Sequence, residues 1–524
     1  MSISRAPHGK ATSFPLVEDV LTAVFRQCLE DLNLDQHWMQ QDASQLVLKL
    51  SLVCRSWRHI TLNVADLWRF HRVDCMRLQS DDLFARYRAF FASLLIRSHG
   101  RICGLCILNF PGPSGTVTHA PSLWAGMITA ALAVCERFRF LAGNGSRIHQ
   151  STPCLLSAVA SLATCPAPRL ATAAIVVDPF PLIPHIRIAV NSLFNSPTAQ
   201  GIRMLEIKGL YLRPNSLVCS RSNLTSIDFC YGSFQRDVKP LIAHHRLTLQ
   251  SLSLANVMVD EDDLQLAAIP ALTSLTLKGH SVALLPELHA TSVVELRSLC
   301  LESATAHPAA GYLVTFLQQH PEMRVERLSL RIDADDLSPF AQPMSFLPHL
   351  RHLSIQGNIG PRFFKLLAIL LTQSTLQVVE LYDSPSFMEV VPSLLQFLRG
   401  KALYSGLPAL ASLHIHPAER FTIPCFVRYS DALALSQLVR EFEISGNAAR
   451  DVLGDFSHWM PVPFLQAVSS RMIAELLFYQ LLLRITSQNF VAGALAHFPP
   501  VYTSYWKAFC RGELLANCSW WTLC

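Results

Sequence analysis

Between Ile202 and Ile444 the chain repeats one spacing ten times, and that spacing dictates most of what it can fold into. Apolar residues hold the fixed places of Leu-x-x-Leu-x-Leu, with Leu, Ile, Val or Phe accepted at each. The copies are Ile202/Leu205/Ile207, Leu224/Ile227/Phe229, Leu249/Leu252/Leu254, Leu272/Leu275/Leu277, Leu296/Leu299/Leu301, Val325/Leu328/Leu330, Leu350/Leu353/Ile355, Leu376/Val379/Leu381, Leu410/Leu413/Ile415 and Val439/Phe442/Ile444. Ile102/Leu105/Ile107 extends the series toward the N-terminus, and Leu170/Ala173/Ile175 does so more weakly. Between the last two apolar places stand Glu206, Asp228, Ser253, Thr276, Cys300, Ser329, Ser354, Glu380, His414 and Glu443, none of them a bulky apolar residue. Such alternation specifies a short strand with one buried face. Successive copies are 22 residues apart at the shortest (Leu205 to Ile227) and 34 at the longest (Val379 to Leu413). Intervening segments such as Gly311–His320 and Phe363–Gln373 carry the apolar spacing of helices. The expected fold is α/β: parallel strands laid side by side, with helices returning across the other face.

This pattern resembles a leucine-rich-repeat array, whose copies run ~20–29 residues and contribute a strand and a helix each. The resemblance implies a solenoid over residues 101–447 with strands on its concave face and helices on its convex face. Consensus repeats place Asn or Cys three residues after the last strand apolar. Asn358 and Asn447 stand there, but Val257, His280, Asp333 and Ser384 hold the same place in other copies. An irregular array with uneven curvature is expected. Polar residues flanking the strand apolars would face the concave side and receive a protein substrate: Glu206, Lys208, Asp228, Lys278, Arg327, Arg331, His352, Gln356, Glu380, Tyr382, His414 and Glu443. The middle copies lean basic and the last ones acidic. For any one of these residues, an ordinary solvated strand face is the simpler reading.

Ahead of the array the period changes. Leu16, Val20, Leu21, Val24, Phe25, Cys28 and Leu29 make one apolar stripe at helical spacing. After the polar stretch 31–44, Leu46–Cys54 is an apolar segment, and Trp57, Ile60, Leu62, Leu67 and Trp68 are the bulky anchors of the segment after it. Residues 14–74 resemble an F-box and its linker. The opening Leu, acid, paired aliphatics and Phe match Leu16–Leu29, and the later Val-Cys, flanked Trp and Leu-Trp match Val53, Cys54, Trp57, Leu67 and Trp68. Two departures stand out: Val17 occupies the family's Pro position, and the loop 30–45 is longer than the compact form.

F-box proteins are substrate receptors of Skp-cullin-F-box ubiquitin ligases. The resemblance implies that Leu16, Val20, Leu21, Val24, Phe25, Leu29, Val53, Cys54, Trp57, Leu67 and Trp68 bind a Skp-type adaptor, and through it a cullin-RING ligase. A three-helix unit of ~45 residues has little core of its own and gains by burying apolar residues on a partner. The plainer alternatives are a helical cap that binds nobody and a repeat-based scaffold without ubiquitin transfer. The remaining organisation reads as a flexible N-terminus (1–13), a connecting helix within 75–100, from Asp81 to about Ser98 and stopped by Gly100, and a C-terminal helical cap or tail (448–524).

Composition narrows the function classes. With 51% apolar and 15% charged residues the 524-residue chain is too apolar for intrinsic disorder. A net charge of +5, with no basic run longer than two, is too dilute for a nucleic-acid binder. Two long apolar stretches fail as membrane spans: 102–135 is cut by Pro111 and Pro113, and 472–485 carries Glu475 and Arg484. The first residues lack the apolar core of a signal peptide, and fifteen scattered cysteines do not form a disulfide framework, so an intracellular chain, cytoplasmic and/or nuclear, is expected. No phosphate loop, metalloprotease or nucleophile-elbow motif occurs. Cys103 and Cys106 read as strand packing, and His244-His245 as a solvated helix end. The expectation is an adaptor without catalytic residues, metal or cofactor.

Overall fold

The computed structural model describes residues 20–26, 43–74, 81–100, 102–108, 121–142, 159–177, 188–259, 268–288, 295–333, 337–357, 359, 362–365, 375–382, 387–405, 410–416, 434–435 and 437–444. The expected flexible N-terminus, the C-terminal cap, Asn358 and Asn447 lie outside them. The chain divides into two compact units, Met1–Ala334 with Pro339–Arg351, and Asp335–Ser338 with His352–Cys524. The division falls inside the segment expected to form one array.

Among the described residues, the first unit carries ten parallel strands in one sheet. They are β1 (Phe70–Asp74), β2 (Ile102–Leu108), β3 (Cys135–Ala142), β4 (Thr172–Val177), β6 (Met204–Lys208), β8 (Ser226–Ser233), β9 (Ser251–Met258), β10 (Ser274–Lys278), β11 (Ser298–Ser303) and β12 (Arg327–Ile332), lying side by side in that order. A separate parallel pair joins β5 (Ile188–Leu193) to β7 (Leu210–Val218). The register stacks like on like: Leu205 beside Ile227, Ile227 beside Leu252, Leu252 beside Leu275, and Leu275 beside Leu299. These residues and the next apolar place along each strand are buried, while the residue between them is half-exposed. The first template residue, from Ile202 to Leu350, sits buried just before its strand.

Four strands come from segments outside the copies read in the sequence. In register, Cys135/Phe138/Phe140 matches Ile102/Leu105/Ile107, with a small apolar thiol in the first place. His71 and Val73 of β1 stand beside Leu105 and Ile107, which makes the end of the F-box-like segment the first strand of the sheet. β5 and β7, the separate pair, also went unforeseen.

Two backbone features hold the strands together. One is a ladder of main-chain hydrogen bonds at the residue preceding each strand. Ala171 N–H donates to the Glu136 carbonyl (2.8 Å), Arg203 to Ala171 (2.8 Å), Thr225 to Arg203 (2.7 Å), Gln250 to Thr225 (2.8 Å), Thr273 to Gln250 (2.8 Å), Arg297 to Thr273 (2.9 Å), Glu326 to Arg297 (2.8 Å) and Arg351 to Glu326 (2.8 Å). Such pairing satisfies main-chain polar groups at the strand starts. The hydroxyls of Thr225 and Thr273 double two of these rungs at 3.2 Å and 3.1 Å. The second feature is a left-handed backbone position, just past the strand at Gly209 and Gly279 and inside β8 and β9 at Tyr231 and Asn256. Gly209, Tyr231, Asn256 and Gly279 each stand two residues past the last strand apolar, with φ of 69°, 65°, 52° and 59°. A Cβ at Gly209 would lie 1.9 Å from the Val177 carbonyl oxygen, so only glycine fits there.

The returning connections follow the length available rather than a single helical form. The 29-residue step between Leu299 and Leu328 houses the helix Ala306–Gln319, which buries Leu313, Phe316 and Leu317. The 24-residue step before it holds a 3₁₀ helix, Gly279–Glu287. The 25-residue step after β8 uses a π turn, Phe234–Val238, running into the helix Lys239–His245.

The helices of residues 20–26, Ala43–Ser51 and Arg55–Asn63 precede the turn Ala65–Trp68, which leads through Arg69 alone into β1. Trp68 donates its indole N–H to the Thr61 carbonyl at 2.6 Å, and Phe25 meets Trp57 edge-on at 4.8 Å. The helix Asp81–Arg97 then covers the sheet edge. His71 and the Tyr87 hydroxyl are 2.7 Å apart, Phe90 and Phe91 close around the imidazole, and the Arg97 guanidinium lies 5.3 Å from the Trp68 ring centre. Gly100, at φ 66°, ends that helix where expected.

Among the described residues, the second unit has four parallel strands, β13 (His352–Gly357), β14 (Val378–Tyr382), β15 (Leu410–His416) and β16 (Val439–Ile444), in chain order. Leu353, Val379 and Leu413 stack in register and are buried. The helix Phe387–Ser405 buries Val391, Leu394, Phe397 and Leu398.

Candidate interaction surfaces

The expected adaptor-binding residues separate into two groups. Val20, Val24, Val53 and Cys54 are exposed, and Leu21 and Trp57 are half-buried. Phe25, Leu67 and Trp68, expected at a partner surface, are instead buried to 0%, 1% and 0%. Their place is the interior: Phe25 packs on Trp57, and Trp68 is fixed by Thr61 and Arg97. Leu16 and Leu29 lie outside the described residues. Two side chains that the sequence reading did not single out are exposed beside these: Leu52 at 81% and Leu48 at 40%. Leu48 lies on the helix Ala43–Ser51 and Leu52 in the turn just past its end, while Val47 faces inward.

The open strand face of the first unit gathers Glu206, Lys208, Asp228, Lys278, Arg327 and Arg331, as alternation demands. Its centre is an ion chain. Arg139 approaches Glu206 at 3.5 Å, Lys208 meets Glu206 at 2.7 Å and Asp228 at 3.2 Å, and the Ser253 hydroxyl donates to Asp228 at 2.9 Å. Burial pulls the Lys208 ammonium down, but its two carboxylates outweigh that and hold it above the ordinary lysine value. Lys278 pairs with Glu302 at 3.1 Å. Arg139 and Glu302 were missed by sequence reasoning, Arg139 because Cys135 falls outside the apolar set that marks a copy. Cys106 lies on the same side in register with Arg72 and Arg139, yet burial pushes its thiol up to about 11. A thiol held protonated at neutral pH is a poor nucleophile.

In the second unit the open face carries His352, Gln356, Glu380, Tyr382 and His414. Glu380 accepts from the Tyr382 hydroxyl at 3.3 Å, with His352 Nε2 also at 3.3 Å, while His414 faces Glu380 in register and hydrogen-bonds Ser412. Glu443 occupies its strand position beside His414.

The histidine pair at the end of Lys239–His245 is a correction. His244 is exposed, but His245 is buried, because the helix end tucks against β7 rather than into water. Burial chiefly, with the His244 charge adding to it, pushes the His245 imidazole down to about 4 despite a hydrogen bond at Val218.

Among the described residues, no helix is long and apolar enough to cross a membrane, and no group of three or more His, Cys, Asp or Glu could hold a metal ion. Compared with known proteins, the chain matches no family model and no curated relative.

Proposed function

We propose that this chain is a substrate-binding subunit of a Skp-cullin-F-box ubiquitin ligase. Its N-terminal helices form an F-box that seats a Skp-type adaptor, and its strand array is a leucine-rich-repeat solenoid whose open face takes a protein substrate. The observation that carries the adaptor site is the exposure of Leu52 at 81% and Val53 at 60%, together with exposed Val20 and Val24, on a small helical unit that keeps Phe25 and Trp68 inside. Apolar surface left in water forgoes ~25 cal/mol for each Å² that a partner would cover. The open face is supported as a substrate platform by its polar side chains on parallel strands. The chain itself performs no chemistry. It raises the effective concentration of substrate near the ligase, and bond making falls to other subunits.

The test is binding of a purified Skp-type adaptor to the full chain, wild type against Leu52→Asp with Val53→Asp. Submicromolar binding abolished by the double substitution supports the reading. A folded wild type that binds no adaptor overturns it.

A further inference from the structure

The exposed pair Leu52 and Val53 lies between the helices Ala43–Ser51 and Arg55–Asn63, whose charges are all of one sign. From Ala43 to Ala65 the sequence holds Lys49, Arg55 and Arg58 and no Asp or Glu. All three cations are exposed, and their side chains make no ion pair or hydrogen bond among the described residues. The hydroxyls of these helices differ in their freedom. Ser51 donates to the Leu48 carbonyl at 2.6 Å, and Thr61, buried, donates to the Arg58 carbonyl at 3.1 Å. Ser56 is exposed, and its hydroxyl makes no hydrogen bond among the described residues. It lies between Arg55 and Arg58, three residues past Val53, while its neighbour Trp57 turns inward onto Phe25.

We propose that Ser56 is the acceptor of a protein kinase that selects basic residues, and that its phosphate releases the adaptor. This rests on the reading of the helical unit as the adaptor site and adds how that site is switched off. The step is a phosphoryl transfer. The Ser56 oxygen bonds the γ-phosphorus of a nucleoside triphosphate, the bond from that phosphorus to the diphosphate oxygen breaks, and the hydroxyl proton passes to the kinase. A cationic patch with no acid complements an anionic partner. A phosphate carries a charge of about −1.5 to −2, which cancels most of the charge of the two flanking arginines, and it resists the loss of water that contact at Leu52 and Val53 demands. Two residues along a helix span less than the ~8 Å over which physiological salt screens charge, so both arginines feel it. The fold tolerates the group. Ser56 is the second residue of a nine-residue helix whose N-cap, Cys54, makes no side-chain hydrogen bond, and negative charge in a first helical turn is favourable. The phosphate acts on recognition and not on folding.

The experiment uses the full chain and a purified Skp-type adaptor. Phosphoserine is incorporated at position 56 during synthesis, and adaptor affinity and thermal melts are compared with those of wild type. The phosphorylated chain is expected to bind the adaptor ~tenfold or more weakly and to melt no lower. Ala92→Asp, which adds negative charge on the Asp81–Arg97 helix, is expected to leave binding intact. In a second arm, basophilic protein kinases with ATP are expected to label wild type at Ser56, as mapped by mass spectrometry. That treatment should weaken adaptor binding by wild type and not by Ser56→Ala. Binding indifferent to the phosphate, a loss of binding matched by a lowered melt, or no label at Ser56 overturns the proposal. The two readings fail separately: unmodified wild type that binds no adaptor overturns both, whereas binding that ignores the phosphate overturns this one alone.

Discussion

His71 stands beside Leu105 in register, so an imidazole fills a place that every other described strand of the first unit's main sheet gives to an apolar side chain. The ring is 4% exposed and shares a 2.7 Å hydrogen bond with Tyr87. Tyr87→Phe removes that bond inside an aromatic cluster and is expected to cost ~1–3 kcal/mol. Adding His71→Leu should recover most of the loss, because an apolar pair leaves no polar group behind. Urea unfolding of the three variants checks this; a double variant no more stable than Tyr87→Phe alone contradicts it.

The two groups of F-box-like residues should respond in opposite ways. Phe25→Ala and Trp68→Ala empty buried aromatic sites and are expected to destabilise the unit by ~3–5 kcal/mol. Leu52→Asp and Val53→Asp alter exposed positions and are expected to shift stability by about 0.5 kcal/mol or less. Thermal melts alongside adaptor binding separate folding from recognition.

Glycines divide by backbone and by space. Gly209→Ala puts a Cβ on the Val177 carbonyl at positive φ and is expected to destabilise by more than ~1 kcal/mol. Gly126 and Gly311 lie in helices with open space where a methyl group would sit, so alanine there should stabilise by ~0.5–1 kcal/mol. Chemical denaturation midpoints give the order.

Acid should act through His245. Its folded value of about 4 lies below the ordinary 6.5, so the unfolded chain takes up the proton first. The stability it contributes is whole above pH 6.5 and is lost as pH falls toward and through 4. His245→Leu removes that dependence, and its urea midpoint is expected to fall less than that of wild type between pH 7 and pH 4.5. Equal slopes for both would rule out His245 as the group responsible.

Periodicity made the strands legible, because burying one face of a strand leaves a period of two that survives any change among Leu, Ile, Val and Phe. Each of the ten copies contains one. What escaped notice were the places where chemistry substitutes for size: Cys135 for an aliphatic residue, and His71 made tolerable by Tyr87, a partner sixteen residues away. The left-handed positions were visible as Gly209 and Gly279 but hidden at Tyr231 and Asn256, where the backbone accepts the conformation with a larger side chain. On the candidate surfaces, sequence spacing identified which residues lie on a helical unit or a strand face. It did not tell Val53 from Trp68, since burial depends on the Asp81–Arg97 helix that closes over one and not the other.

The hydrogen-bond ladder from Glu136 to Arg351 is written in main-chain atoms, which every residue type carries. A turn built so has no spelling to preserve. Its letters are free to drift, from Ala171 and Arg203 to Gln250 and Glu326, while the strands stay in step. A substitution at one of these rungs therefore leaves its main-chain hydrogen bond in place, provided the new residue is not proline.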